Sequence, residues 1–328
     1  MAANKPSFRQ NRNNPGRRRW LVGGLVVFLL FDIGLVAFAL TSTNSVSSAG
    51  TVVEPVETTS PSDTGPVQTA APAAVEPVQT TVTATVAPTR LLAALNSSTA
   101  WRASTGACPA VSAQPELTTD SGATWESFNA SIETDASSIL AIKVIDDTET
   151  SLVTLDLADC APQLVSTFVA GDQWRAYPER ASVEWYVDPA TPATVHSPTG
   201  NVAAPCETVA TLAVTDDSSA AVLCADASVF TTLDSGATWS VPASVPGAAA
   251  VAAAAEGYEV AVANPVGCIG VSLVRVSVDG GLDATVGGCF PAAVKPGELA
   301  LAAAEDGTLW LWAGDAFARS VDGGGSWD

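Results

Sequence analysis

The sequence predicts an all-β fold assembled from a repeated strand unit, and three observations support this prediction. An eight-residue pattern, Ser/Thr-x-Asp-x-Gly-x-Thr/Ser-Trp, occurs three times, beginning at Thr118, Thr232 and Ser320. The aspartates of the later copies are evenly spaced, as in structural repeats. The segments around them are short β-rich runs with polar turns, and no window there shows a convincing 3.6-residue period.

Each position of the pattern has a role in a tight turn between two strands. The Asp carboxylate accepts hydrogen bonds from the N–H groups after it, and the Gly tolerates a positive φ. The hydroxyls bond across the turn, and the Trp packs between units. The pattern positions are Thr118, Asp120, Gly122 and Trp125; Thr232, Asp234, Gly236 and Trp239; Ser320, Asp322, Gly324 and Trp327; and, in a worn copy without Trp, Ser277, Asp279 and Gly281.

This pattern resembles the Asp-box, or BNR repeat, of sialidase-like β-propellers. The resemblance implies a propeller fold and by itself implies no reaction. Through the same boxes and their spacing, residues 91–328 are also similar to the photosystem assembly and stability factors and their bacterial relatives. Those propellers bind proteins during assembly. The low-lysine composition, rich in Ala, Val, Thr and Asp, looks actinobacterial.

The spacing of the aspartates predicts the number of blades. Asp234, Asp279 and Asp322 follow one another at 45 and 43 residues, about one four-stranded blade. The 114 residues from Asp120 to Asp234 suit three shorter blades. Two copies of the pattern would then be lost, near residues 171–174 and 197–200. We expect about six blades, with five to seven allowed.

The chain before the propeller divides into three segments. Residues 1–19 form a basic tail without acidic residues, which we expect in the cytoplasm. Residues 20–40 are long and apolar enough to be one transmembrane helix. Residues 41–77, rich in Ser, Thr, Pro and Ala and without aromatic residues, predict a disordered linker. The propeller domain is expected at 78–328.

Two interpretations of the apolar stretch stay open. An uncleaved signal-anchor would hold a single-pass protein in the cell membrane with its propeller outside. Cleavage near Ala39, after the small-x-small sequence Ala37-Phe38-Ala39, would release a secreted protein. Asp32 lies within the span, where a carboxyl costs about 2.5–3.5 kcal/mol. It predicts either a polar contact with another membrane helix or a tolerated polar residue.

The net charge restricts the possible partners, and the cysteines indicate disulfides and not a metal site. The net charge is −20, and beyond Asp32 there are 33 acidic and 8 basic residues, so nucleic acid and anionic lipid headgroups are disfavoured as partners. Six cysteines in an exported domain predict disulfides, preferably Cys206–Cys224 and Cys268–Cys289, which leaves Cys108–Cys160. With no C-x-x-C spacing and one histidine, His196, we expect no metal and no cofactor.

One strand is predicted to close the ring. Val82, Ala84 and Val86 alternate with threonines, which is typical of a strand. We expect residues 79–86 to pair with the strand around residues 316–321 and to complete the last blade, because an open propeller leaves unpaired strand edges.

The sequence shows no catalytic constellation. Resemblance to sialidases implies three arginines around a substrate carboxylate and a Tyr/Glu pair, but the Phe/Tyr-Arg-Ile-Pro motif of that family is absent. No G-x-S-x-G elbow supports a role for His196. The remaining candidates are Arg102, Arg175, Arg180, Arg275 and Arg319, with Arg90 assigned to the linker, and Tyr177, Tyr186 and Tyr258.

These observations predict a non-catalytic, membrane-tethered extracytoplasmic β-propeller. It would serve as a binding or scaffold module for an unknown protein or a cell-wall glycan. The alternative is a sialidase-like glycoside hydrolase acting on surface sugars. A central channel lined by Ala, Val and Thr favours the binding module. A cluster of arginines facing the channel, with a Tyr near a Glu, favours the hydrolase.

Overall fold

The computed structural model describes residues 84–328, without the side chains of residues 284–286. Five sheets follow one another along the chain, and in each of them strands that are consecutive in sequence are hydrogen-bonded neighbours. A two-stranded hairpin stands between the second and third sheets. Each of the five sheets is one blade of a propeller, and we number the blades in chain order.

The strands of the blades have the following bounds. Blade 1 contains β1 (Arg90–Ala94), β2 (Ala100–Ser104), β3 (Pro115–Thr118) and β4 (Glu126–Ser127). A one-turn helix, α1 (Ser131–Thr134), leads to blade 2, with β5 (Ala136–Val144), β6 (Thr150–Asp156), β7 (Pro162–Thr167) and β8 (Arg175–Tyr177). A 3-10 helix (Pro178–Val183) and the hairpin of β9 (Thr194–Ser197) and β10 (Gly200–Ala203) follow.

Blade 3 contains β11 (Val209–Val214), β12 (Ala220–Cys224), β13 (Ser228–Thr232) and β14 (Ala243–Ser244). Blade 4 contains β15 (Ala248–Ala254), β16 (Gly257–Ala263), β17 (Gly270–Val276) and β18 (Leu282–Pro291), and blade 5 contains β19 (Leu299–Ala303), β20 (Leu309–Ala313) and β21 (Ala316–Ser320). The first strands form the inner ring: β11 lies beside β15, β15 beside β19, β19 beside β1, and β1 beside β5.

The all-β propeller class is confirmed, and the blade number is five. The estimate of six is wrong, although five lies within the allowed range. The long interval between Asp120 and Asp234 contains one complete blade and the hairpin, where the spacing predicted two extra blades. Residues 197–200, predicted as a lost copy of the pattern, form the tight turn of the hairpin.

The hairpin fills the space between blades 2 and 3. Val195 of β9 packs with Val209 of blade 3. On its other side His196 stacks on Tyr186, with 4.4 Å between the ring centroids. Tyr186 in turn packs against Val153 of blade 2. Two short strands and aromatic stacking therefore link blade 2 to blade 3.

The turns lie alternately at the two ends of the ring, because consecutive strands are antiparallel. One end carries the turns between first and second strands and those between third and fourth strands. The latter turns begin at Thr118, Thr232, Ser277 and Ser320 and contain the aspartates of the pattern. We call these the Asp turns and their end the Asp-turn face. The opposite end, where the inner strands begin, we call the entry face.

Residues 84–89 run along the entry face. Thr85 donates its N–H to the Ala225 carbonyl at 2.9 Å and its hydroxyl to the Ala248 carbonyl at 2.8 Å. Thr89 donates its N–H to the Gly297 carbonyl at 2.8 Å before β1 begins. The segment therefore connects blades 3, 4 and 5 at this end of the ring.

These contacts overturn part of the predicted ring closure. The described residues of the proposed closing strand, 84–86, do not pair with residues 316–321. Instead β21 pairs with β20, and Arg319 exchanges two backbone hydrogen bonds with Asp328 at 2.9 and 3.0 Å. Residues 79–83 lie outside the described part of the chain.

Arginine and tryptophan side chains join blade 5 to blade 1. Arg90 lies over Trp312 at 4.4 Å, and Arg102 lies between Trp312 at 4.8 Å and Trp125 at 4.1 Å. Glu116 accepts a hydrogen bond from Arg102 Nε at 2.6 Å. Each such cation–π contact contributes about 0.5–1 kcal/mol. Arg90 is the first residue of β1, so its assignment to the linker is wrong.

Three disulfides cross-link segments at the entry face, and all three predicted pairs are confirmed. Cys108–Cys160 joins the turns of blades 1 and 2, and Cys206–Cys224 joins the segment before β11 to the end of β12. Cys268–Cys289 joins the turn between β16 and β17 to β18. The six cysteines thus hold together the end of the ring that carries the connections between blades.

The predicted N-terminal segments are not part of this description. The basic tail 1–19, the span 20–40 with Asp32 and the linker 41–77 lie outside the described residues. Among residues 84–328, no helix has the length and apolar character needed to cross a bilayer.

Candidate functional site

The three complete Asp turns, which begin at Thr118, Thr232 and Ser320, share one hydrogen-bond arrangement. In the first, Thr118 Oγ1 donates to Asp120 Oδ1 at 2.8 Å and accepts the N–H of Gly122 at 2.9 Å. Asp120 accepts the N–H and the hydroxyl of Thr124 at 2.9 and 2.6 Å. The turns that begin at Thr232 and Ser320 repeat these bonds at 2.7–2.9 Å. The carboxylates thus hold the turns together through hydrogen bonds.

The glycine of each complete turn allows a neighbouring blade or, for Gly236, the hairpin to approach. Gly122 has a φ of 85°, and a Cβ there would lie 2.5 Å from the Phe317 ring of blade 5. The pattern tryptophans pack in the same direction: Trp125 meets Phe317 edge-on at 5.1 Å, and Trp327 meets Phe290 of blade 4 at 5.8 Å. The Asp turns therefore hold strands within a blade and also join adjacent blades.

These hydrogen bonds lower the pKa of the turn carboxylates. The hydroxyl and then the N–H of Thr124 lower the pKa of Asp120 to about 2, and Ser326 does the same for Asp322. The pKa of Asp234 is lowered as well, first by the Thr238 hydroxyl. The Asp-turn face therefore keeps its negative charge at pH values where an ordinary carboxyl becomes protonated.

Asp120→Asn is expected to remove a stabilisation that depends on pH in acid. Because the folded-state pKa of Asp120 is about 2, below its unfolded value, its contribution is complete above about pH 5 and disappears as the pH falls towards 2. The difference in free energy of unfolding between wild type and variant, from denaturant titrations at several pH values, should shrink over this window. An equal difference at all pH values would contradict this role. Asp147→Asn, an exposed carboxylate, is the control.

Blade 2 keeps the turn without its aspartate. Thr167 Oγ1 accepts the N–H of Gly171 at 2.9 Å, as in a complete Asp turn. Val169 stands in the position of the Asp, and Glu133 of α1 accepts the N–H of Trp174 at 2.7 Å. The lost copy predicted near residues 171–174 is thus a turn of the same shape. The Thr-x3-Gly-x2-Trp spacing is the sequence signal that identifies its start.

A second set of capped turns on this face was missed by the sequence analysis. Asn96, Asp146 and Asp216 each accept the N–H groups two and three residues later, at 2.7–2.9 Å, between the first and second strands of their blades. The shared signal is Asn/Asp-x-Ser/Thr. These turns support the Asp turns, since Ser235 donates its N–H to the Ser218 carbonyl at 2.8 Å.

The second residue of several Asp turns is an exposed aliphatic side chain. Leu233, Val278 and Val321 are 58%, 45% and 76% exposed on blades 3, 4 and 5. Each is followed directly by the aspartate of its turn. The Asp-turn face therefore carries apolar side chains and ionised carboxylates next to one another.

A groove of about 320 Å³ lies between blades 1 and 2. Its apolar wall contains Phe128, Ile132 and Trp174, and its polar groups include the carboxylates of Glu133 and Asp172. Glu133 already accepts the N–H of Trp174, so it belongs to the joint between these blades. The residues lining the groove include no arginine or lysine, which a carboxylate-bearing ligand would need.

The candidate arginines take part in separate structural contacts. Arg90 and Arg102 join blades 5 and 1, and Arg180 lies over the Tyr177 ring at 4.3 Å. Arg275 forms an ion pair with Glu259 at 2.6 Å, and Arg319 forms one with Asp328 at 2.9 Å. The exception is Arg175, which is exposed in β8. The inner strands β15 and β19 are built from Ala, Val and Leu.

The tyrosines and His196 are also held by neighbours. Tyr258 is fully buried, and its hydroxyl accepts a hydrogen bond from Thr215 at 3.3 Å. Burial raises the pKa of Tyr258 and of Tyr186, which makes ionisation to a nucleophile less favourable. His196 Nδ1 lies 2.8 Å from the Glu184 carbonyl. Within residues 84–328, no three His, Cys, Asp or Glu side chains are grouped to hold a metal ion.

Comparisons with known proteins identify no family for the chain. No family model matches the chain, and no curated protein matches it. Among solved structures it is similar to YCF48 bound to a D1 peptide, at 18% identity over 76% of this chain and 67% of that chain, with a TM-score of 0.28. It is also similar to the BP39L lectin from Burkholderia pseudomallei, at 13% identity over 74% and 84%, with a TM-score of 0.40.

A xyloglucanase from Xanthomonas campestris is similar at 19% identity over 73% of this chain and 37% of that chain, with a TM-score of 0.31. At these identities and scores the similarities support no functional argument. The strand order, the inner ring and the repeated turns place the chain in one structural class: it is a β-propeller of five blades.

Proposed function

We propose that this protein is a non-catalytic, membrane-tethered extracytoplasmic β-propeller that binds or scaffolds another macromolecule. The partner is a protein or a cell-wall glycan. The finer resemblance to Asp-box propellers and to the assembly factors belongs to the same proposal. Residues 20–40 would anchor the chain, and the linker would carry the propeller outside the cell.

The observation that supports this proposal most directly is how the scarce cations are used. Arg90, Arg102, Arg275 and Arg319 contact carboxylates, carbonyls or tryptophan rings of their own fold. A sugar hydrolase that recognises a carboxylate would need such groups free and convergent. A binding module does not need free, convergent arginines. A rigid ring with loops on both faces suits such a module.

A sialidase-like glycoside hydrolase is the second candidate, and we rank it lower. Its nucleophile would be a tyrosine beside a glutamate. Tyr258 is fully buried, Tyr186 is stacked on His196, and Tyr177 is covered by Arg180. No contact of these three phenols favours nucleophilic catalysis.

Co-purification from native membranes tests the proposal. The full chain is compared with a chimera in which residues 78–328 are replaced by an inert domain of similar size. We expect at least one protein or glycan to be retained by the full chain and lost with the propeller. The control is the chimera itself, which keeps the predicted span and Asp32. A partner retained equally by both proteins would move the binding site to the membrane segment. Hydrolysis of surface glycans by the full chain would favour the second candidate.

A further inference from the structure

The second residue of an Asp turn takes no part in folding that turn. The Ser/Thr before it and the Asp after it make the hydrogen bonds. In blade 1 this position holds Thr119, an exposed polar residue, and the turn keeps its bonds at 2.6–2.9 Å. An apolar side chain is therefore not required for the turn to form.

Three consecutive blades nevertheless place an aliphatic side chain at this position. Leu233, Val278 and Val321 are between 45% and 76% exposed. A single exposed aliphatic residue needs no explanation, but repetition at one structural position on adjacent blades gives a row of contact points at one end of the ring. The rigid turns hold these side chains in place, so little conformational freedom would be lost on binding.

The same face is negatively charged. Each aliphatic residue is followed by an Asp whose ionised form the turn stabilises. Two exposed carboxylates of the neighbouring turns, Asp217 of blade 3 and Glu305 of blade 5, add to this charge. The nearby cations Arg275 and Arg319 are paired with Glu259 and Asp328. The surface therefore combines aliphatic groups with negative charges that its own cations do not neutralise.

We propose that the Asp turns of blades 3–5 bind a protein segment in which Lys or Arg residues alternate with apolar side chains. This inference rests on the proposed function and specifies the chemistry of its partner. Apolar side chains of the segment would bury Leu233, Val278 and Val321, and its cations would pair with the carboxylates. A neutral glycan offers no charge to this surface, and an anionic glycan is repelled by it.

Binding of short labelled peptides to the full chain in mild detergent tests the inference. The probes are three peptides of equal length with alternating Lys and Leu, Lys and Ser, or Glu and Leu. At an ionic strength of about 0.15 M, at which distant charges are screened, we expect the Lys–Leu peptide to bind at least about tenfold more tightly than the other two. Equal binding of the Lys–Leu and Glu–Leu peptides would overturn the inference.

The decisive variant is L233T/V278T/V321T, which gives three turns the residue type that blade 1 already has. It should melt at the wild-type temperature and bind the Lys–Leu peptide no better than the Lys–Ser peptide. The matched control is V266T/I269T, two aliphatic residues that are 107% and 87% exposed on the entry face. This control should bind both peptides as wild type does. A triple variant that still prefers the Lys–Leu peptide would overturn the inference.

The charge contribution is tested by D217N/E305Q, which changes no residue of an Asp turn. This variant should bind the Lys–Leu and the Lys–Ser peptides several-fold more weakly than wild type does. Unchanged binding of the lysine peptides would contradict the electrostatic part of the inference. If L233T/V278T/V321T still co-purifies with a partner through its propeller, the proposed function stands and this location of the site is wrong.

Discussion

Arg275→Met is expected to lower the free energy of unfolding by about 3–5 kcal/mol, because it leaves a buried carboxylate without its counter-charge. Glu259 is only 1% exposed. Arg275 brings two nitrogens to the same oxygen, Oε1, at 2.6 and 2.7 Å, while Oε2 has no hydrogen-bond partner. Burial already raises the pKa of Glu259 despite the arginine.

The loss of stability in Arg275→Met should depend on pH, and the raised pKa of Glu259 determines the direction of this dependence. A carboxyl whose folded-state pKa is above its unfolded value binds more protons in the folded state, so stability falls as the pH rises between the two values. Without Arg275 the folded pKa rises further and this window widens. Denaturant titrations should show the variant closest to wild type near about pH 4 and furthest from it near about pH 8.

The double variant E259M/R275M is the matched control. Replacing both members of a buried pair by apolar residues of similar size is often neutral or stabilising. Its free energy of unfolding should therefore recover most of the loss and show little of the pH dependence. A double variant as unstable as Arg275→Met would mean that packing, and not the unpaired charge, causes the loss.

Removal of the Cys108–Cys160 disulfide by C108A/C160A is expected to lower the free energy of unfolding by about 4 kcal/mol. The bridge closes a loop of 52 residues between blades 1 and 2, and longer loops gain more from a cross-link in the chain-entropy account. The measurement is denaturant unfolding of the oxidised proteins.

The comparison variant is C206A/C224A, whose bridge spans 18 residues and should contribute about 3 kcal/mol. Reduction of all three disulfides in the wild-type protein should lower the free energy of unfolding more than either double variant does. If the two double variants had equal stability, loop length would not determine the contribution of these bridges, and the local packing of Cys224, which is fully buried, would be the better explanation.

The sequence predicted those parts of the fold that local patterns encode. The Asp turns place Thr118, Thr232 and Ser320 at the ends of third strands, as the pattern implied. Spacing alone overestimated the number of blades, because it counts residues and does not show how many strands they form. The segment 178–205 has the length of a small blade, but it forms a 3-10 helix and a hairpin.

Contacts between residues far apart in the chain could not be read from the sequence. Arg90 lies over Trp312, which is more than 200 residues away, and no periodicity relates the two. Glu259 stands between Tyr258 and Val260 in β16, and the local sequence does not show that its side chain is only 1% exposed. Sequence patterns could place the Asp turns, but only the structure shows aliphatic residues and carboxylates of different blades on one face.

The position of residues 84–89 has a mechanical consequence. Among the described residues, Thr85 is the first that is hydrogen-bonded to the ring, and if the chain is tethered as we propose, it would carry a pull on a bound partner into the ring. From there the load passes into Ala225 and Ala248, beside the disulfide-linked Cys224. Force would therefore enter the ring at its cross-linked end, and the opposite end, whose turns carry no disulfide, would bear the load only where the partner is attached.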